Sequence, residues 1–218
     1  MLFEMELDST LGEEGIHDLL EATLAGEEGE SAPQRLFRIL MRHDAIDGLQ
    51  VAFPGDDRRR RALADLREAA PTRVNELLAE RRREDSGVKK VGGDLIVPFD
   101  RLPEMMRFYR EGFERRGLEY AIWGHLSDGN LHPNALPRNS AEVEAGCEAL
   151  LEFAKQAARL GGCPLSEHGV GRNPVKQKMM RRFLGDDALA AMRRIKRALD
   201  PPWRLGRGVL FPPPVAPR

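Results

Sequence analysis

Three histidines of the chain fall in two short runs. His125 and His132 belong to Trp123-Gly124-His125-Leu126-Ser127-Asp128-Gly129-Asn130-Leu131-His132-Pro133-Asn134, and His168 belongs to Glu167-His168-Gly169-Val170-Gly171. Two neutral imidazoles and a carboxylate make a donor set for a divalent metal, with positions left open for a substrate. His125, His132 and Glu167 are the candidates for that set. His168 is then free for another role. Imidazole titrates near neutral pH, so this residue can serve as a general base.

The first run predicts a hairpin. Asp128-Gly129 is a strong signal for a two-residue type I′ turn, whose central residues both need positive φ. Such a turn sets Ser127 against Asn130, Leu126 against Leu131 and His125 against His132. Directly opposed residues share one sheet face, with Cβ atoms roughly 5 Å apart. Asn134 and Trp123 recur on that face two residues further out. In the second run, extended backbone would send Glu167 and His168 to opposite sides. Both serve one site only if the chain turns there, and Gly169 and Gly171 permit a turn. Gly169-Val170-Gly171 ahead of a helix also admits a phosphate loop, but a lone Gly-x-Gly is weak evidence. No Gly-x-Gly-x-x-Gly and no P-loop occurs.

The surrounding elements follow from local pattern. Residues 2–7 alternate as a half-buried strand. Asp8-Ser9-Thr10 offers a cap for a helix reaching about Leu24, and residues 25–33 read as a loose loop. Leu49 to Phe53 predicts a second strand. A helical region covers roughly residues 56–84, with a break expected at Pro71. Glu84 to Gly93 reads as a polar, mobile loop, and Leu95-Ile96-Val97 as a short strand. Asp100 is the expected cap of a helix ending near Gly117, before a strand from about Glu119 to His125. Asn139-Ser140 starts a helix with Val143, Cys147, Leu150, Leu151, Ala154 and Ala158 on its buried stripe, stopped by Gly161-Gly162. Asn173-Pro174 opens a helix to Gly185, and Asp186-Asp187 opens another that ends at Pro201-Pro202. Strands and helices joined by hairpin connections predict an α+β fold, an antiparallel sheet flanked by helices.

Composition narrows the classes. The 218 residues allow one large domain or two small ones. The formal net charge of −1 gives no electrostatic case for a nucleic-acid partner. The runs Arg58-Arg59-Arg60-Arg61 and Arg81-Arg82-Arg83 sit in helical patterns and read as solvated faces. No segment approaches the roughly 18 continuous apolar residues of a membrane span. The start lacks the basic region of a signal peptide. Cys147 and Cys163 form neither a metal nor a redox motif, so a reduced, cytoplasmic setting is expected.

The run Gly124 to Asn134 resembles the Gly-His-x-Gly-Asp-Gly-Asn-x-His-x-Asn signature of FAD-linked oxidases that act on D-2-hydroxyacids. Glu167 to Gly171 is similar to their second signature. Leu66-Arg67-Glu68, Lys89-Lys90 with Asp94 to Pro98, and Met192 to Phe211 are similar to further segments, in the same order. The resemblance spans nearly the whole chain, residues 1–218 as a single substrate (cap) domain of ferredoxin-like fold. It implies that the family's N-terminal FAD-binding domain is absent here. By resemblance, His125, His132 and Glu167 would bind a divalent metal, zinc or manganese. Arg67 and Asn134, with Lys90 or Lys89, would bind the hydroxyacid. His168 would take the α-hydroxyl proton while a hydride passes to FAD supplied in trans. The implied partners are a 2-hydroxyacid and an FAD-binding domain or subunit, with a homo-oligomer as a further expectation. The isolated chain would be inactive.

Departures from that pattern leave rivals open. Ser127 replaces a glycine, Pro174 stands where a lysine often follows, and Leu205-Gly206-Arg207-Gly208 replaces Leu-Asn-Pro-Gly. A non-catalytic module that binds metal or an organic acid is the alternative. A metal hydrolase using the His-His-Glu set is a third reading.

Overall fold

The computed structural model describes residues 13–26, 31–53 and 55–212. The strand expected over residues 2–7 lies outside them. The chain divides into two compact units, Met1–Arg73 and Val74–Arg218.

In the first unit, α1 (Glu13–Leu24) packs on α2 (Ala32–Arg42). Ser31 caps α2: its Oγ accepts from the Gln34 N–H, and Pro33 sits in the first turn, where a missing N–H costs nothing. The expected loop therefore ends before residue 33. Ile16 and Phe37 are the buried contacts. Leu49–Phe53 forms no strand. Leu49, Val51 and Phe53 line a cavity of about 290 Å³ with residues of α1 and α2, and no described strand lies beside them to accept a ladder. Their alternation marks a half-buried extended segment, and that pattern alone cannot supply a pairing partner. Helix α3 (Asp57–Glu84) runs through Pro71 without the expected break.

The second unit is built on a four-stranded antiparallel sheet: β1 (Val91–Gly92), β2 (Leu95–Ile96), β3 (Tyr120–His125) and β4 (Asn130–Ala135). Strand β4 is central. Its one edge pairs with β3, and its other edge pairs with β2 at Asn130–Leu131 and with β1 at Asn134–Ala135. The stretch expected as a mobile loop thus includes a strand, and Val88 ahead of it is 1% exposed. One face of the sheet, carrying Leu131, Ala135, Val91 and Leu95, packs on α4 (Leu102–Glu114) and α5 (Ser140–Arg159). Phe153 of α5 meets Tyr109 and Phe113 of α4 edge-on, with ring centroids 5.0 Å apart. Each such pair adds about 0.5–1.5 kcal/mol beyond its buried area. Asp100 does not cap α4. It lies in a 3-10 turn, Phe99–Arg101, that leads into the helix.

Helix caps fall where short-range chemistry puts them. Asn139 accepts from the Glu142 N–H at 3.0 Å, and Asn173 accepts from the Val175 and Lys176 N–H groups. The Asp85 carboxylate accepts from the Ser140 N–H and hydroxyl, which fixes the start of α5. Helix α6 (Pro174–Leu199) bends at Gly185, which has φ 81°, as the two-helix reading requires. Beyond α6 the chain folds back. Asp200 accepts from Lys196 Nζ and from the N–H groups of Arg204 and Leu205, and Trp203 packs edge-on against Phe211. Among the described residues no helix is long and apolar enough to cross a membrane.

Candidate active site

The face of the sheet opposite α4 and α5 carries the candidate residues His125, His132 and Asn134. The hairpin differs from the expected one. Leu126–Asp128 forms a 3-10 turn and Gly129 closes it at φ 76°, ψ 13°. The loop is therefore four residues long rather than two, a common hairpin alternative. A Cβ at Gly129 would stand 2.2 Å from the Val97 carbonyl oxygen, so both backbone and space require glycine there. With the longer loop, His125 pairs with Asn130, and His132 pairs with Trp123. The register has moved by two residues. Side-chain direction has a period of two, so His125 and His132 still share a face, now as diagonal neighbours. Their ring centroids lie 5.8 Å apart.

Glu167 and His168 reach the same face through a turn. The Asp94 carboxylate accepts from the Glu167 N–H at 2.9 Å and the His168 N–H at 2.6 Å. Gly169 and Gly171 both have positive φ, so the chain turns at the glycines the sequence offers. Glu167 Oε1 then lies 3.1 Å from His132 Nε2, 3.3 Å from His168 Nε2 and 3.4 Å from His125 Nε2. The ligand atoms of His125, His132 and Glu167 all fall within 4.8 Å of one another. Two imidazole nitrogens and a carboxylate oxygen this close together are a donor set that fits a divalent cation. Burial pushes the His132 imidazole below its ordinary pKa. His168 and His125 add to that, and Asp94 and Glu167 oppose it. The favoured neutral ring is the form that ligates metal. His168 is about half exposed, so its imidazole is open to a reactant.

Asp94 enters the sequence reading only as the first residue of a resembling segment, with no role of its own. It occupies the gap between β1 and β2 and is 2% exposed. A carboxylate directly ahead of an apolar strand was its sequence signal, but nothing local says what it holds.

The expected substrate residues lie in different settings. Asn134 is buried, and its amide donates to the His132 carbonyl at 2.6 Å. Lys90 reaches Asn75 Oδ1 at 3.4 Å and lies over the Trp123 ring, and partial burial lowers its pKa. Lys89 and Lys90 line a cleft of about 190 Å³ with Arg172, Lys176 and the apolar Cys147 and Leu150. Lys176 joins that cleft to the turn, since it donates to the carbonyl of Gly169. Arg67 belongs to the first unit, exposed on α3 and paired with Glu68 at 3.1 Å. The altered tail ties down the segment that follows His168. The Arg207 and Gly208 carbonyls accept from Arg172 and Gln177, and the Leu210 N–H donates to Gly171.

Residues 13–210 match the family model described as FAD linked oxidases, C-terminal domain. The chain is similar to glycolate oxidase subunit GlcD of Bacillus subtilis, 30% identical over 164 residues, which is 74% of this chain and 31% of that protein. It is also similar to the mitochondrial D-lactate dehydrogenase [cytochrome] of Arabidopsis thaliana, 33% identical over 124 residues, 56% of this chain and 22% of that protein. The D-2-hydroxyglutarate dehydrogenase of Escherichia coli is 27% identical over 198 residues, 75% of this chain and 19% of its own length. The chain thus spans about a third or less of each of these relatives.

Proposed function

The chain belongs to the FAD linked oxidases, C-terminal domain family, and from that premise we propose that it is the substrate- and metal-binding part of a flavin-dependent oxidoreductase. Its substrate is a D-2-hydroxyacid of the glycolate or D-lactate class, oxidised to the 2-oxoacid, and FAD comes from another domain or chain. The observation that carries this reading is the convergence of three imidazole nitrogens on one Glu167 oxygen, 3.1–3.4 Å away. The match across both compact units supports treating residues 1–218 as one substrate domain.

His125, His132 and Glu167 would hold the cation. When bound, a divalent cation supplies a Lewis acid opposite the substrate oxygen that becomes negative. His168 takes the hydroxyl proton at its imidazole, held within reach by the Asp94–backbone contacts. Lys89, Lys90 and Lys176 place positive charge along the adjoining cleft and so favour an acid substrate. Asn134 is the remaining proposed substrate contact within the second unit; Arg67 is carried over from the family pattern alone, a guanidinium that matches a carboxylate bidentately. When bound, FAD accepts the hydride, and the half-exposed His168 leaves the site open to a group brought by another domain. Ile195, Leu199 and Leu205 expose apolar surface on α6 and the tail, which supports a covering partner, either that domain or a second copy. The free thiols Cys147 and Cys163 support a reducing compartment such as the cytoplasm.

The test mixes the chain with a flavin-loaded FAD-binding partner and a panel of D-2-hydroxyacids, and follows flavin bleaching. Bleaching should need both components and fall about 10²–10⁴-fold in His168→Ala, the usual worth of a positioned base. Bleaching by the partner alone at the full rate would remove this chain from the reaction.

A further inference from the structure

We infer that Asp94 is the positioning residue of the metal site, holding His132 in the tautomer whose proton sits on Nδ1 and whose Nε2 lone pair faces the cation. This rests on the metal reading above. The carboxylate is fixed in place before it meets the ring. Asp94 lies between two short strands that pair with β4, and the preceding Gly93 N–H donates to the Pro133 carbonyl at 2.8 Å. One of its oxygens, Oδ2, accepts the Glu167 and His168 N–H groups. The other, Oδ1, is buried without a hydrogen-bond partner. His132 Nδ1 is likewise buried without one, and it lies 3.7 Å from Oδ1. Leaving a buried donor or acceptor unpaired is costly, and these two atoms face each other. A closure of about 0.8 Å brings the pair to ordinary N–H···O length.

Solvent decides between the two carboxylates: Asp94 is 1% exposed and its Oδ1 has no other partner, whereas Glu167 is 42% exposed and within reach of water. His132 Nε2 is 3.1 Å from Glu167 Oε1, where the nitrogens of His125 and His168 also converge. A proton on Nε2 would block the position where the donor set closes on the cation. A proton on Nδ1 pairs with Asp94 and leaves Nε2 open, the arrangement in which a carboxylate behind a histidine orients it for metal. One buried carboxylate then fixes a metal-ligand ring and, through the backbone, both Glu167 and His168. Asp94, His132 and His168 also lie close enough to ligate an ion themselves. An ion held there would make Asp94 a ligand and would leave out His125 and Glu167.

The experiment uses the full chain, first stripped of metal. Ring ¹⁵N shifts of His132 report its tautomer, and calorimetric titration with Zn²⁺ and with Mn²⁺ reports affinity and stoichiometry. The wild type should show the Nδ1–H form and bind one ion. Asp94→Asn keeps an oxygen for the two backbone N–H groups but turns an amide toward the ring. It should switch His132 to the Nε2–H form and weaken ion binding about 10–100-fold, with little change in the melting temperature of the metal-free chain. An Nε2–H ring in the wild type overturns the inference, whatever the variant does. Two ions per chain, or Asp94→Asn binding within threefold of wild type, also overturns it. A wild type that binds neither ion overturns the metal reading instead. The tautomer needs no ion and still decides the role of Asp94.

Discussion

His132 stands between two carboxylates, Asp94 behind it and Glu167 in front, inside a sheet that leaves its side chain 7% exposed. Burial favours the neutral ring, so its folded pKa lies below the ordinary value of about 6.5. The sign follows from proton counting. Between the two pKa values the unfolded chain binds more protons than the folded one, so stability rises with pH there. The stabilising contribution is complete above about pH 6.5 and is lost as the pH falls through the lowered folded value. Chelated wild-type protein should therefore lose more unfolding free energy between pH 7 and pH 5 than His132→Asn does. Equal losses of unfolding free energy in the two proteins, from denaturant titrations at both pH values, would contradict this. The histidines, the glutamate and their common face are all legible in the sequence. Asp94 is not, because its partners lie 73 and 74 positions away.

The hairpin and the helical layer set those residues in place. Asp128-Gly129 marks a turn correctly but not its length. The loop settles at four residues as Gly129 comes to lie against Val97, its carbonyl accepting the Val97 N–H at 3.2 Å, a contact from the residue that follows β2. Gly129→Ala meets both a left-handed φ and a backbone oxygen, and should cost about 1–3 kcal/mol in urea unfolding. A cost under a few tenths would mean the loop re-forms elsewhere. On the other face, Phe153 fills the space between α4 and α5, touching Phe108, Tyr109 and Phe113. Phe153→Ala should cost about 3–5 kcal/mol, measured in the same way, and should loosen the face beneath β4. Helix caps at Asn139 and Asn173 were legible because capping is a three-residue affair. Strand β1 was not, since two residues among lysines and glycines carry no period, and only pairing with β4 makes them a strand.

For the whole molecule, the proposed reading makes separate predictions for turnover and for metal binding by this chain. It spans about a third or less of the proteins it resembles. On the proposed function, these residues without an FAD-binding partner should turn over no hydroxyacid yet still bind one divalent ion, because the donor set lies wholly within the second unit. Arg67→Ala separates substrate binding from metal binding. KM for the hydroxyacid should rise about 10-fold or more, as expected for a lost charge-assisted contact worth roughly 1.5–3 kcal/mol, while ion affinity stays unchanged. A KM equal to wild type would remove Arg67 from the substrate site.

The sequence by itself determined the residue types of the site, the face they share, the helix stops at Gly161 and Gly185, and the family. Each of these depends on neighbours a few positions apart or on a fixed period of two or 3.6, which a linear reading contains. Tertiary structure decided the hairpin register, the strand at Val91–Gly92 and the place of Asp94 behind His132. Those depend on which distant backbone groups meet. A buried carboxylate shows its partners only once packing has excluded water and left it nothing else to bind.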